Sequence, residues 1–397
     1  MKTSLIEEKP VRIGMYDLQE ASALVQARLP SQEERNKMVM DDKTRLKQHD
    51  MNRRKLLKVA GVSAGALALG GGGAISLESV LSPTSAHAAS TFIKGADVSW
   101  LPQMEANGYK FYNSSGVQQD VLTILKGYGI NAIRLRTFVN PSSDPANGHC
   151  SISETAAMAV RCKNAGLPVD IDFHFGDTWN SVGVQNPPAA WASMTYSQML
   201  TAMNNYVYHS MNVLKSNGVT PGWVQIGNEI NSGICHPVGS LAHYPAQMTG
   251  LLNAAYAMVK LVFPSTPVLI HLAQPQKLSV IENFFDTYKS NGGKWDITAF
   301  SSYGSGSNIS GIVSNMATIQ SRYGKSVMQV EFGGPVSKPS QVATDLATYI
   351  KGLKGFGGLG LFYWEPEGYS PFTSYAMGAW DSTTKRPTTA LNGFLNA

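Results

Sequence analysis

The chain has 397 residues, 43% hydrophobic and 15% charged, which is ample for a large core and for one α/β barrel of about 250 residues. Its net charge of +5 is spread along the sequence without a basic stripe, which excludes an electrostatic case for nucleic-acid binding. The three cysteines, Cys150, Cys162 and Cys235, lack metal-site spacing. They leave open one disulfide, Cys150 to Cys162, in an exported protein, or three unpaired thiols.

Residues 1–50 are polar and mixed in charge, without a strong periodic pattern. They are expected to be a disordered extension, or to lie before a true start at Met51. From there the chain reads MNRRKLLK, then the weakly apolar VAGVSAGALALGGGGAISLESVL, and reaches Ala86-His87-Ala88. A basic pair, a modest apolar stretch and a small-x-small end are the parts of an export signal. The segment resembles a twin-arginine signal with Arg53 and Arg54 as the pair, although Asn52 stands where Ser or Thr is more usual. Four consecutive glycines and Glu78 make a bilayer anchor a poor alternative. Residues 51–88 are thus read as a removable signal, and the mature protein as periplasmic or extracellular, monomeric and off the membrane.

Residues 89–397 show no linker or low-complexity tract. Instead, eight short apolar runs recur, at 92–100, 132–138, 167–175, 223–229, 267–273, 296–303, 326–333 and 358–366. Between them lie helix-like segments such as VQQDVLTILKGYG and SISETAAMAVRCKNAG, each closed by a glycine after its last apolar turn. Strands alternating with helices imply a parallel sheet, and eight repeats favour a closed (β/α)8 TIM barrel in a single catalytic domain. An open doubly wound sheet would want a G-x-G-x-x-G after the first strand, which is missing.

Toward their C-terminal ends these runs carry Asp97; Arg134 and Arg136; Asp172, His174 and Asp177; Asn228 and Glu229; His271; Tyr303; Glu331; and Trp364-Glu365-Pro366-Glu367. In a barrel those ends converge on one face, where catalysis takes place. Arg134 and Arg136 differ by two positions and so share a face; Glu229 and Glu331 are the expected acidic partners for them. If Glu229 ends strand four and Glu331 strand seven, the two carboxylates face each other across the barrel mouth. Such a pair is the usual machinery of glycoside hydrolysis, with one group kept protonated and the other ionised by their surroundings. Asp97, Asp172 and Asp177 read as supporting groups, Asp172 orienting His174. Taken singly, His174 and His271 also fit satisfied buried polar residues, and Trp179 fits ordinary packing.

The stretches FIKGADVSW, INAIRLRTFVNP, GLPVDIDFHFGDTW with QNPPAAW, VQIGNEINSGICHP, VEFGGP and FYWEPEGY together resemble glycoside hydrolase family 53, the arabinogalactan endo-β-1,4-galactanases. The resemblance runs from about Phe92 to the C-terminus. It implies a retaining, endo-acting enzyme on β-1,4-galactan, with Glu229 as acid/base and Glu331 as nucleophile. It further implies that Asn228 binds the sugar 2-hydroxyl, that Arg134 or Arg136 orients the nucleophile, that His174 and Tyr303 line the −1 subsite, and that Trp364 stacks beneath the sugar. Asp97, Asp177, Trp179 and His271 complete the expected substrate-binding set. No cofactor is expected, and the short, carboxylate-poor loop from Glu367 to Ala379 speaks against a structural calcium.

Four places depart from the family's pattern: Asn180-Ser181-Val182 for Ala-Asp-Pro, SSYGSGSN for a paired-Tyr, Pro, aromatic run, Cys235-His236 for Leu-Trp, and Gly368-Tyr369 for a second Trp. All lie in loops that shape subsites. Another β-1,4-glycanase (a mannanase or xylanase) and a glycan-binding barrel without activity are therefore the alternatives. The export reading makes Ala89 the first residue of the mature protein; terminal sequencing of secreted material should find it there.

Overall fold

The computed structural model describes residues 91–144 and 147–397, so the expectations for residues 1–50 and 51–88 lie outside it. All eight apolar runs are strands: β1 Ile93–Asp97, β2 Ala132–Thr137, β3 Val169–Phe173, β4 Trp223–Ile226, β5 Val268–Ala273, β6 Ile297–Ser301, β7 Ser326–Glu331 and β8 Gly360–Trp364. They pair in parallel and close into a barrel in sequence order, β8 meeting β1. The expected (β/α)8 architecture is what forms. No helix among the described residues is long and apolar enough to cross a membrane.

The helices are α1 Leu101–Ala106 and α2 Val121–Gly127 after β1, α3 Ile152–Asn164, α4 Tyr196–Ser216, α5 Pro245–Val262, α6 Leu278–Ser290, α7 Asn308–Tyr323, α8 Pro339–Gly355 and α9 Asn392–Leu395. Their starts are written in the sequence. Ser151 and Glu154 form a reciprocal capping box on α3, as Thr195 and Gln198 do on α4; a cap of this kind is worth about 1 kcal/mol. The buried face of α3 is Thr155, Ala156, Met158, Ala159 and Cys162, the helical spacing that lays one stripe on the barrel wall. Cys150, Cys162 and Cys235 are all buried free thiols, so the unpaired alternative is the one observed.

Strand alternation divides each strand between two environments. On β2, Ile133 and Leu135 face the helices within the main apolar cluster, while Ala132, Arg134 and Arg136 face inward. The barrel floor is apolar, built from Ala132, Leu269, Ile297, Ala299, Met328, Val330 and Phe362. Gly95 makes room there, since a Cβ at that position would sit 2.2 Å from the Phe362 ring. Above this plug the interior turns polar.

Most strands stop two or three residues before the apolar runs do. Beyond β3, β4 and β8 the break is in the backbone: Phe175, Glu229 and Glu365 have φ of 52°, 49° and 44°, and Gln274, just past β5, has 60°. Left-handed conformations at non-glycine residues cost on the order of 1–3 kcal/mol each and cluster at functional sites. On β4 the break comes at Gly227, with φ 95° and its N–H donating to the Phe173 carbonyl at 2.9 Å. Asn228 and Glu229 therefore stand on a tight turn rather than on the strand, and the turn aims Glu229 into the mouth. A Cβ on Gly227 would meet Ile230 Cγ2 at 2.6 Å. Gly227→Ala should thus destabilise the barrel by roughly 1–3 kcal/mol, measurable by denaturant unfolding, and lower activity with it.

Candidate active site

One guanidinium organises the polar layer. Arg134 Nη1 lies 2.8 Å from Asp97 Oδ2, and Nη2 lies 2.8 Å from Asp172 Oδ2 and 3.0 Å from Glu331 Oε1. Nη2 also donates to Asn228 Oδ1 at 3.0 Å, and Nε to Gln225 Oε1 at 3.3 Å. Strand register makes this possible, because Asp97 pairs with Arg134 and Asp172 with Gln225 across adjacent strands. With Arg134 only 1% exposed and Asp97 and Asp172 0%, each charge stays inside because it is paired. Burial pushes Asp172 up, but Arg134 and then His174 outweigh it and hold the carboxylate below its ordinary range.

Glu331 ends β7 as part of this network. Its second oxygen accepts the Tyr303 hydroxyl at 3.0 Å. Glu229 sits in different surroundings. It is half-exposed, with Oε1 accepting from Ser301 Oγ at 2.5 Å and Oε2 from the Val182 N–H at 3.3 Å. The expectation that Glu229 would neutralise an arginine fails: Arg134 pairs with Asp97, Asp172 and Glu331, and Arg136 with Glu365. Glu229's turn carries it to the rim, out of reach of the β2 side chains.

Desolvation pushes the Glu331 carboxyl up to about 8 against the pull of Arg134, with the Glu229 charge adding to the rise. Both hydrogen bonds to Glu331 come from donors, however, so they favour its ionised form. Desolvation and these donors therefore pull the Glu331 carboxyl in opposite directions.

Arg136 faces the other side of the mouth. Its Nη1 pairs with Glu365, lies 4.0 Å from Asp97, and its guanidinium lies over the Trp179 ring at 4.2 Å. Trp179, Trp100, Trp364 and Tyr375 form an edge-to-face cluster, with Trp364 5.1 Å from Trp100 and 4.7 Å from Tyr375. Trp364 is half-buried.

Several expected substrate contacts are instead inside the protein. His174 is 3% exposed; its Nδ1 accepts the Asn180 N–H at 3.1 Å, which leaves the proton on Nε2, 3.1 Å from Asp172. Asp172 thus orients His174, as the shared strand face implied. His271 is fully buried, with Nδ1 3.0 Å from both Gln225 Nε2 and Asn228 Oδ1; burial, then the Arg134 charge, pushes it well below its ordinary range. Asp97, Arg134 and Arg136 are likewise closed off, because a charge at those depths is held by its partners and not by solvent. Asp177 uses both oxygens on backbone, accepting from Asn140 N–H at 2.9 Å and Ala189 N–H at 2.8 Å, and clasps two loops together. Of the expected set, Glu229, Tyr303, Trp179, Trp364 and Asp177 keep exposed surface, and Asn228 and Glu331 a sliver.

A groove of about 910 Å³ opens on the Glu229 side of the mouth, walled by the loops after β3, β5 and β6 and by the first turns of α7. Among the described residues, no group of three or more His, Cys, Asp or Glu side chains is arranged to hold a metal ion.

The family model for glycosyl hydrolase family 53 matches residues 93–343, from β1 into α8. The chain belongs to glycosyl hydrolase family 53. It is 31% identical over 310 residues to a probable arabinogalactan endo-β-1,4-galactanase A of Neosartorya fischeri, covering 71% of this chain and 86% of that protein. An arabinogalactan endo-β-1,4-galactanase A of Emericella nidulans is 30% identical, with 71% and 87% covered. Among solved structures, the Ignisphaera aggregans family 53 catalytic domain matches with TM-score 0.70 and 29% identity over 77% of this chain and 96% of that one. A structure from a study of two fungal β-1,4-galactanases matches with TM-score 0.71, 26% identity and 77% and 100% coverage.

For this family 53 chain, the sequence pattern gave no site role to Gln225, Ser301, Glu365 or Asn180. Asn180 ties His174, Asn186 and Asn228 together. Gln225 had a usable signal, an amide inside an apolar strand. Asp170 had another: it shares the inward face of Asp172, and burial raises it to about 7 beneath Arg134.

The Glu331 shift has a checkable sign. A carboxyl at about 8 in the folded state and near 4.5 unfolded binds its proton more tightly when folded, so its contribution to stability is lost as pH rises through that window. Glu331→Gln lacks this loss. Its melting temperature relative to wild type should climb between pH 5 and pH 8.5 in calorimetric scans.

Proposed function

We propose that the protein is an exported, retaining endo-β-1,4-galactanase that cleaves galactan or arabinogalactan side chains of pectin, with Glu331 as nucleophile and Glu229 as acid/base. The observation that carries this reading is the unlike setting of two carboxylates at one mouth of a family 53 barrel. Arg134 and Tyr303, both donors, fix Glu331 and favour the carboxylate that must attack, against the desolvation that raises its pKa. Glu229 is half-exposed beside a polar groove, which suits a group that must give up a proton and regain it from water. The names of the family 53 relatives supply the substrate class.

In this mechanism the sugar to be cleaved packs on Trp364, and one Glu331 oxygen attacks its anomeric carbon. Glu229 protonates the departing oxygen in the same step. A covalent glycosyl–enzyme ester forms and the glycosidic C–O bond breaks. Water, deprotonated by Glu229, then displaces Glu331 and restores both groups. Asn228, steadied by Arg134 and by the Asn180 carbonyl, would offer its remaining amide N–H to the 2-hydroxyl, a contact that strengthens in the transition state. His174 and His271 act through Asp172 and Asn228.

The test uses reducing-sugar release from β-1,4-galactan, mannan and xylan. Wild type should prefer galactan and first release the β-anomer by NMR. Glu331→Ala and Glu229→Ala should each lose roughly 10³-fold or more. On an aryl β-galactobioside, whose phenolate leaves without protonation, azide should rescue them to opposite products, an α-glycosyl azide from Glu331→Ala and a β-glycosyl azide from Glu229→Ala. Preference for mannan or xylan would overturn the substrate, and an α-anomeric first product the retaining mechanism.

A further inference from the structure

In strand order, β4 and β7, which carry Glu229 and Glu331, divide the barrel mouth into two unequal arcs. The longer arc, β8–β1–β2–β3, presents the tryptophan cluster and Arg136. The shorter arc, β5–β6, holds the 910 Å³ groove, and its chemistry is of another kind. Gln274 and Gln276 follow β5, while Ser307, Asn308 and Asn315 come from the start of α7. Tyr303 is the one aromatic among its lining residues.

The groove begins at the acid/base. Its lining includes Glu229 together with Ser301 and Val182, the two groups that donate to that carboxylate; Glu331 does not line it. Whatever oxygen Glu229 protonates leaves with the chain attached to it, and that chain must lie on the Glu229 side. A volume of about 910 Å³ is near the top of the roughly 300–1,000 Å³ that encloses a drug-sized ligand, room for more than one sugar unit. Two loops where the sequence departs from the family's pattern, Asn180-Ser181-Val182 and SSYGSGSN, contribute Ser181, Val182, Tyr303 and Asn308 to its walls.

Building on the galactanase reading, we infer that this groove holds at least two sugars of the leaving-group chain, gripped by amide and hydroxyl side chains instead of aromatic stacking. Glycone sugars then pack on tryptophan, and leaving-group sugars are held by Gln276 and Asn308. Individual neutral hydrogen bonds contribute about 1 kcal/mol net, so this half of the site sets where the chain is cut more than how fast. Gly311 on α7 lines the groove with open space where a Cβ would be, nothing lying within 4 Å. A large side chain there has open space to enter the groove.

The experiment digests β-1,4-galactopentaose labelled at its reducing end. Wild type should release labelled fragments of two or more units. Gly311→Trp should shift the cut toward the labelled end, raising labelled galactose at least five-fold. The same variant should hydrolyse an aryl β-galactobioside, whose leaving group is too small to fill the groove, within two-fold of wild type. Gln276→Ala/Asn308→Ala should produce the same shift, with a several-fold higher KM on galactan and unchanged kcat, and guards against misfolding of the tryptophan variant. An unchanged cut position in variants that melt like wild type would overturn the inference, as would equal losses on both substrates. If wild type leaves galactan and galactopentaose intact but cuts another glycan, the substrate reading has failed; labelled oligomers of that glycan then decide the groove by the same shift.

Discussion

The barrel mouth depends on the Arg134 guanidinium. Three carboxylates, an amide from the β4 turn and an amide from β4 itself converge on it. Taking a single cation out of water costs several kcal/mol, and only dense, well-aligned pairing offsets it. The arrangement cannot relax one member at a time, because a carboxylate deprived of Arg134 would be left buried without a counter-charge. The position of Glu331 is therefore fixed by the same contacts that keep the interior from coming apart, and the chemistry inherits its geometry from folding.

That coupling explains why so few polar groups near the site touch the open mouth. Asp97, Asp172, His174, Gln225 and His271 lie buried behind Asn228 and Glu331 and hold one another in place. Arg136 repeats the pattern on a smaller scale, with Glu365 as partner and Trp179 as cover. Arginine suits both places, since a planar guanidinium bonds in its plane and stacks on its face. The two arginines thus serve opposite halves of the mouth, one holding Glu331 and the other the aromatic wall.

Much of this was visible in the chain itself. Eight apolar runs foretold eight strands, and the collection of charged residues at their ends foretold the face on which they meet. The two-residue spacing of Arg134 and Arg136 placed both inside. The pairing of charges was harder to read, because it depends on register between strands and on turns after them. Gly227 hints at such a turn, but nothing in the identities of Glu229 or Glu365 announces a left-handed backbone. The ends of β3, β4 and β8 were overextended for that reason, and Glu365 was passed over as the partner of Arg136. Ser301 carried no signal: a serine at a strand end is common, and its bond to Glu229 exists only once β4 and β6 are brought near each other.

Left-handed backbone at Phe175, Glu229, Gln274 and Glu365 has a consequence for how the protein can change. Each such residue forces conformational strain that neighbouring strands must hold in place, so the rim is stiff where it carries chemistry. Valine, isoleucine or threonine is disfavoured at those four positions whatever contact its side chain would bring. Variation in this fold is channelled past those fixed points, into the adjoining loop segments and the opening turns of the helices. Lineages of this barrel can therefore diversify their grip on a polymer while the chemical centre stays put.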